Sequence, residues 1–263
     1  MIPRALTIAG SDSGGGAGIQ ADLKTFSAFG IYGMSAITAV TVQDTQGVYE
    51  IMAVDADIVG RQIDVVIQDI GVDVIKIGML FSEEIIATVA QKLRRYSDVP
   101  VILDPVMRAK GGASLLNPGA ENQMREQLLP LATLLTPNLP EAQALSETVI
   151  NSPEDMHRAG MALVRRGISY VLVKGGHWEN YPADDCLCSS QSAMWIRGER
   201  IQSVHTHGTG CTLSSAIAAE IAHGKSMSKA VQSAKNYVTR AILEAPGFGR
   251  GHGPLWHFPE DKP

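Results

Sequence analysis

Cysteine is scarce in this chain: three residues, Cys186, Cys188 and Cys211, among 263. An odd and sparse count builds no disulfide framework, so the expectation is a reducing, cytoplasmic setting. Positive charge is also short, with 22 Lys and Arg against 27 Asp and Glu and a formal net charge of −5. Dedicated nucleic-acid binders are usually basic, so no nucleic-acid partner is expected. Unbroken apolar runs are missing too. The uncharged stretch from Thr25 to Gln43 approaches a membrane span in length, but Ser27, Gly30, Gly33, Ser35, Thr38 and Thr41 interrupt it. It reads as a helix end, a turn and a buried strand. The N-terminal apolar run, Ala5 to Ala9, is too short for a secretory core. No membrane attachment is expected. No repeat, low-complexity tract or composition break divides the chain, and a single domain over residues 1–263 is expected.

What the chain does contain is a regular alternation of strand and helix patterns. Ala5–Ala9 reads as a strand and Gly10–Gly18 as a glycine-rich loop, after which Ile19, Leu23, Phe26 and Phe29 recur at helical spacing. Ser35–Val42 and Gly47–Val54 read as strands, and Asp55–Ile70 as a helix. The alternation continues with strand Asp73–Ile77, helix Ser82–Tyr96, strand Val99–Leu103, helix Gly119–Leu129 and strand Ala132–Leu135. Helices Leu139–Glu147 and Pro153–Arg166 and strand Tyr170–Val173 follow, then two or three short strands between Cys186 and Val204. Helices Gly210–His223 and Met227–Leu243 precede a Gly- and Pro-rich tail, Gly247–Pro263, that reads as irregular. Such alternation predicts an α/β fold, a mostly parallel sheet with helices on both faces. Ligands then bind at the carboxyl ends of the strands. Gly10–Gly18, Gln43, Met79, Asp104, Asn138, Lys174 and His207–Cys211 fall there.

Each motif has a functional and a bland reading. The Gly14–Gly18 run fails the dinucleotide spacing, because position 19 is Ile, yet its N–H groups could hold an anion at a helix start. A tight structural turn is the alternative. Gly224-Lys225-Ser226 lacks the first glycine of a P-loop, since position 219 is Ala, and Gly224 reads as a helix C-cap. Cys186 and Cys188 have no second cysteine pair to complete a zinc site and read as partly buried thiols. In His207-Gly-Thr-Gly-Cys211 the two glycines let successive N–H groups converge at a helix start, where they stabilise developing negative charge. A thiol there is expected to have a lowered pKa and could serve as a base in phosphoryl transfer to an alcohol. A structural cysteine after a glycine turn is the alternative. Asn138 and Glu141 could hold Mg²⁺ through waters together with Asp104, or could form a helix capping box. Lys174 is placed for a phosphate, or simply ends a strand at the surface.

Six segments in order resemble the hydroxymethylpyrimidine/phosphomethylpyrimidine kinases, members of the ribokinase-like superfamily. They are Leu6–Lys24, Lys76-Ile-Gly-Met79, Leu103-Asp-Pro-Val-Met107, Thr136-Pro-Asn-Leu-Pro-Glu141, Val173-Lys-Gly-Gly-His177 and Thr206-His-Gly-Thr-Gly-Cys-Thr212. The resemblance implies a three-layer α/β/α fold and ATP-dependent phosphorylation of 4-amino-5-hydroxymethyl-2-methylpyrimidine and then of its monophosphate. It implies Mg²⁺ and a homodimer. It makes Gly208, Thr209 and Gly210 the anion hole, Cys211 the catalytic base where many relatives have Asp, and Lys174 a phosphate-contacting catalytic lysine. It places Gln43, Asp22, Gly10, Met79 and Val106 on the substrate side. Asp104, Asn138, Lys174 and Thr206 fall in the ATP-phosphate region, with Asp104 and Glu141 toward the metal. The segment Met107–Leu116, with adjacent glycines, Arg108 and Lys110, is expected to be a flap. Some pyridoxal kinases of the same fold have a cysteine in this flap, and this chain does not. Pyridoxine/pyridoxal kinase and a non-catalytic pyrimidine-binding protein are the alternatives.

Overall fold

The computed structural model describes residues 1–109, 111–117, 119–178 and 181–258. Nine strands form one sheet: β1 (Arg4–Asp12), β2 (Tyr32–Gln43), β3 (Val48–Ala53), β4 (Val74–Ile77), β5 (Val101–Leu103), β6 (Leu134–Leu135), β7 (Tyr170–Val173), β8 (Asp185–Ser189) and β9 (Ala193–Ile196). Their order is β3-β2-β1-β4-β5-β6-β7-β8-β9. Pairing is parallel from β2 through β7, and β3, β8 and β9 join antiparallel at the two edges.

The central strands are continuous apolar runs because helices cover both faces. Side chains alternate between two cores. Leu6, Ile8, Ile75 and Ile77 pack with α2 (Ala56–Asp69), α3 (Glu83–Leu93), α5 (Leu139–Ser146) and α6 (Pro153–Val164). Ala5 and Val74 face α1 (Gly18–Ala28), α7 (Thr209–Ala222) and α8 (Met227–Leu243). By the same period of two, Lys76 of β4 points into that second, fully buried layer. No helix among the described residues is long and apolar enough to cross a membrane.

Two elements differ from the sequence expectation. Strand β1 runs on to Asp12, so Gly10–Asp12 belong to the sheet and not to the loop, and a bulge between Ala9 and Ser11 keeps them paired with β2. The expected helix Gly119–Leu129 is an α-turn, α4 (Ala120–Gln123), continued by a π-turn over Met124–Leu128 and a 3₁₀ turn over Leu129–Leu131. Pro130 lacks the N–H that an α-helix would need there. The tail has no helix or strand up to residue 258, as expected, but it is tied down. The N–H groups of Arg250 and Gly251 donate to Thr45 Oγ1 (3.2 Å each), and His252 N donates to Thr45 O (2.7 Å).

Candidate active site

The turn from Thr206 to Cys211 opens α7 at the carboxyl edge of the sheet. Gly208 has φ +80°, and a Cβ on it would stand 1.8 Å from Gly16 O, so only glycine fits. A Cβ on Gly210 would lie 3.3 Å from Asp104 Oδ2 and 3.5 Å from Lys174 Nζ. The turn therefore lies directly against a lysine–aspartate pair. Lys174 Nζ donates to Asp104 Oδ1 at 2.9 Å, and Thr136 Oγ1 donates to the same oxygen at 3.2 Å. Asn138 is bridged to Lys174 through the backbone. Glu141 N donates to Asn138 Oδ1 (2.9 Å) while Glu141 Oε2 accepts from Asn138 N (2.8 Å). The capping box is thus real, and its carboxylate still belongs to the site. Its field reaches Asp104 and Lys174, and it also accepts from Met107 N at the base of the flap. Asp104, Asn138, Glu141, Lys174 and the Thr206–Cys211 turn, scattered in sequence, meet at one end of the cleft.

Electrostatics differ from the sequence expectation at Cys211. Burial pushes the thiol up to about 11, against the pull of Lys76, and Asp22 and Asp104 push the same way. The helix start does not compensate for lost water and two nearby carboxylates. Burial pushes Glu141 up to about 7, Lys174 opposing and Asp104 adding. Lys174 is raised: burial works against its charge, but Asp104 and Glu141 outweigh it.

The other end of the cleft is apolar. Met79, Ala39 and Leu115 form a small cluster, with Val106, Ala109 and Phe81 packed on it. A Cβ on Gly10 would approach Met79 Sδ to 3.0 Å. The expected flap is a short hairpin. Ala109 N donates to Ala113 O (2.8 Å) and Leu115 N to Met107 O (2.9 Å), with Arg108 bridged to Ser114. Its residue Lys110 lies outside the described residues. Gln43 ends β2 at the rim, as its place in the sequence required. Gln43 Nε2 stands 3.2 Å from His207 Nε2, and Gln43 Oε1 stands 3.1 Å from Thr41 Oγ1.

Two sequence readings need correction. Asp22, expected on the substrate side, is fully buried beneath the cleft. Its oxygens accept from Lys76 Nζ (2.8 and 2.9 Å), Thr7 Oγ1 (2.6 Å) and Ser215 Oγ (2.7 Å), which leaves nothing for a ligand. The glycine-rich loop does not offer its N–H groups to a bound anion. Gly14, Gly16 and Ala17 donate to the carboxylate of Asp12 at 2.8, 3.1 and 2.8 Å. Burial raises the Asp12 pKa, but hydrogen bonding to His207 and to this loop holds it below the ordinary value.

Lys76 and Ser215 are not singled out as site residues by the sequence, and Asp12 and His207 only as members of the Gly10–Gly18 and His207–Cys211 segments at the ligand edge. Lys76 had a signal: one lysine in the apolar strand Val-Ile-Lys-Ile demands a buried acid. Asp12 to His207, 195 residues apart, had none beyond the resemblance of their two segments.

A mostly parallel sheet whose carboxyl edge joins a glycine turn at a helix start to a lysine–aspartate pair, together with its structural likeness to a pyridoxal kinase, defines an α/β kinase of the ribokinase-like class. The pattern of the phosphomethylpyrimidine kinase family matches residues 12–256, and the chain belongs to that family. It is 46% identical to the hydroxymethylpyrimidine/phosphomethylpyrimidine kinase of Bacillus subtilis, over 98% of this chain and 95% of that one. It is 50% identical to the thiamine biosynthesis bifunctional protein ThiED of Geobacter sulfurreducens, over 96% of this chain but only 52% of that longer protein. Among solved structures, an ADP complex of Bacillus subtilis pyridoxal kinase superposes with a TM-score of 0.91 at 39% identity, covering 98% of both chains.

Proposed function

We propose that the chain transfers the γ-phosphoryl group of ATP to the hydroxymethyl oxygen of 4-amino-5-hydroxymethyl-2-methylpyrimidine, and a second one to the resulting monophosphate. One observation supports this above all: the carboxyl edge carries a group of residues suited to phosphate (Lys174, Asp104, the Gly208–Cys211 turn), an apolar cluster around Met79, and a carboxamide, Gln43, set against His207 at the head of that turn. The alcohol proton passes to Cys211 Sγ in its thiolate form as the oxygen attacks the γ-phosphorus and the bond to the β–γ bridging oxygen breaks, leaving ADP. The N–H groups of Gly208, Thr209 and Gly210 and the ammonium of Lys174 stabilise the charge spreading on the transferred group.

No set of three or more His, Cys, Asp or Glu among the described residues could hold an ion alone. Two carboxylates, Asp104 and Glu141, fit a Mg²⁺ that arrives with nucleotide, since Mg²⁺ keeps several waters and phosphate ligands. When bound it neutralises phosphate charge. Asn138 and Thr206 flank the same end and fit phosphate contact. Gly10, Met79 and Val106 fit the ring, and Asp22 supports the site from below. Closure of the Met107–Leu116 hairpin would exclude water and limit idle ATP hydrolysis.

The chain fits a homodimer formed along its β2–β3 edge, where Val40, Val42, Tyr49 and Met52 are exposed together. Reduced thiols and an ATP supply fit the cytoplasm. The test offers the aminopyrimidine and pyridoxine in parallel with MgATP and reads products by mass spectrometry. Monophosphate followed by diphosphate of the pyrimidine is expected. Phosphorylation of pyridoxine alone would move the assignment to vitamin B6, and no turnover of either would leave a binding protein.

A further inference from the structure

Building on the aminopyrimidine reading, we propose that His207 and Thr41 are positioning residues that lock the Gln43 carboxamide in one polarity, Oε1 toward the anion-hole turn and Nε2 away from it, and so select a 4-amino ring over a 4-oxo ring.

Counting protons leads to this assignment. His207 Nε2 lies 2.9 Å from Asp12 Oδ2. The Asp12 carboxylate is an acceptor on every side, taking the N–H groups of Gly14, Gly16 and Ala17. The proton between Asp12 and His207 therefore sits on Nε2 of the imidazole. An N–H at that position cannot also receive one from the Gln43 amine end 3.2 Å away. Thr41 tells the same story from the opposite side. Its hydroxyl has one proton and two acceptors in reach, Ser11 O at 2.9 Å and Gln43 Oε1 at 3.1 Å; with the proton on the shorter contact, Oγ1 is an acceptor toward Gln43. A carbonyl oxygen facing it would leave two acceptors opposed. Exchanging the two ends of the carboxamide resolves both conflicts at once, and those ends are distinguishable only through such partners. Gln43 Oε1 then shares the single His207 Nε2–H with Asp12 Oδ2 in a three-centre bond, the shorter arm to Asp12, and Gln43 Nε2 donates to Thr41 Oγ1. One lone pair and one N–H remain for a ligand.

The polarity matches the proposed substrate. His207 immediately precedes Gly208, so the Oε1 end is the end nearer the anion hole. In the substrate the 4-amine is next to the carbon bearing the hydroxymethyl group that must point there. The amine then donates to Oε1, and the ring nitrogen beyond it accepts from Nε2–H. A 4-oxo ring, with a carbonyl in place of the amine and a protonated ring nitrogen, presents the inverted pattern. It would meet acceptor with acceptor and donor with donor. Turning the amide to suit it would put the amide N–H against His207 Nε2–H.

The test compares kcat/KM for the aminopyrimidine and its 4-oxo counterpart. The wild type should favour the amine by on the order of 10²-fold or more, as sites built on hydrogen bonds do. In His207→Leu the amide is held by Thr41 alone and can turn at the cost of that one contact, so the preference should drop below about tenfold, through a higher KM for the amine and a lower one for the oxo ring. A merely structural role for His207 would weaken both substrates and leave the ratio alone, and that result overturns the proposal. Should His207→Leu fail to fold, ¹⁵N NMR of the wild-type histidine side chains decides. A proton on His207 Nε2 is expected, and a bare Nε2 overturns the proposal. Failure of the wild type to phosphorylate either pyrimidine would instead remove the functional reading, and the nitrogen spectrum would still decide the amide polarity.

Discussion

Two lysine–aspartate pairs serve this cleft, and they differ in what each has left over. Lys76 and Asp22 are both 0% exposed, and Thr7 and Ser215 complete the hydrogen bonding of the carboxylate. Lys174 and Asp104 use one carboxylate oxygen between them, and the other oxygen faces the Gly210 turn. The first pair joins β4, α1 and α7 from within. Ser215 lies one helical turn after Cys211 on the same face of α7, so this pair underlies the thiol. The second pair faces the space a phosphate would fill. A buried ion pair gains little stability when formed whole, and costs much when halved. The same chemistry thus serves as a foundation in one place and as an instrument in the other.

Halving the foundation should have the largest effect. Lys76→Met leaves Asp22 charged and without its partner, and should cost about 3–5 kcal/mol of stability in urea unfolding. Adding Asp22→Asn to it should recover much of that loss. Lys174→Met also leaves a buried carboxylate, Asp104, without its ammonium, but the Lys174 side chain keeps 15% exposure where Lys76 has none, so the loss of stability should be smaller than for Lys76→Met while turnover collapses. Equal destabilisation by Lys76→Met and Lys174→Met would erase the contrast between the pairs.

Cys211 stands between them, and its substitution sharpens the comparison on the chemical side. Cys211→Ala should keep its fold and lose on the order of 10²–10⁴ in turnover, the usual scale of general acid–base catalysis. Burial pushes this thiol up to about 11, so near pH 7 it is almost wholly protonated. The fraction of thiolate rises tenfold per pH unit below that value, so kcat/KM should climb from pH 7 to 9. Cys211→Asp, ionised throughout that range, should flatten the profile. A wild-type profile already flat at pH 7 would show that bound ATP or the anion hole lowers the thiol more than the carboxylates raise it.

Glu141 tests what burial costs a carboxylate at the instrument end. The folded carboxyl titrates near 7 and its ordinary value is 4.5, so the folded state keeps a proton that the unfolded chain releases. Its contribution is fully present below pH 4.5 and is lost as pH rises through 7, roughly 1–3 kcal/mol in all. Glu141→Gln should lose this downward slope between pH 4.5 and 7 in thermal unfolding. It should also need more Mg²⁺ for half-maximal turnover. An unchanged Mg²⁺ requirement would leave Glu141 with its capping box alone.

The instrument end was legible in the sequence, and the foundation was not. Asp104, Asn138 and Lys174 each follow an apolar strand, and an α/β sheet sends such residues to one edge. The Gly208–Cys211 turn announced itself by two glycines before a helix. Asp22 was placed on the substrate side by the resemblance alone, and its burial against Lys76 lies beyond what a helical period can show, since the period gives a face and not the layer it meets. Lys76 stood inside a quoted motif, yet only the alternation of β4 against α1 and α7 shows where its amine goes. Asp12 looked like a loop residue. It ends a strand instead, and its carboxylate takes the loop N–H groups that seemed ready for an external anion. The tail was rightly read as irregular, but irregular backbone is fixed here by glycines. A Cβ on Gly249 or Gly251 would strike Thr45 at 2.3 or 2.1 Å.

The smallest expected effect falls at the apolar end, where neither pair reaches. Gln43→Glu keeps an oxygen for His207 Nε2–H and for the substrate amine, but removes the N–H that meets the ring nitrogen. It also opposes a carboxylate oxygen to Thr41 Oγ1, whose proton is engaged by Ser11 O. Affinity for the aminopyrimidine should fall by roughly 1–3 kcal/mol, the cost of an unpaired buried polar group. The KM for ATP should hardly change, since Gln43 contacts His207 and Thr41 and not Lys174, Asp104 or the Gly208–Cys211 N–H groups. Pyridoxine offers a phenolic oxygen in place of the amine edge, so its weaker phosphorylation should suffer less. Equal losses for both alcohols would mean that Gln43 shapes the cleft without reading the ring, and its polarity would then have nothing to select.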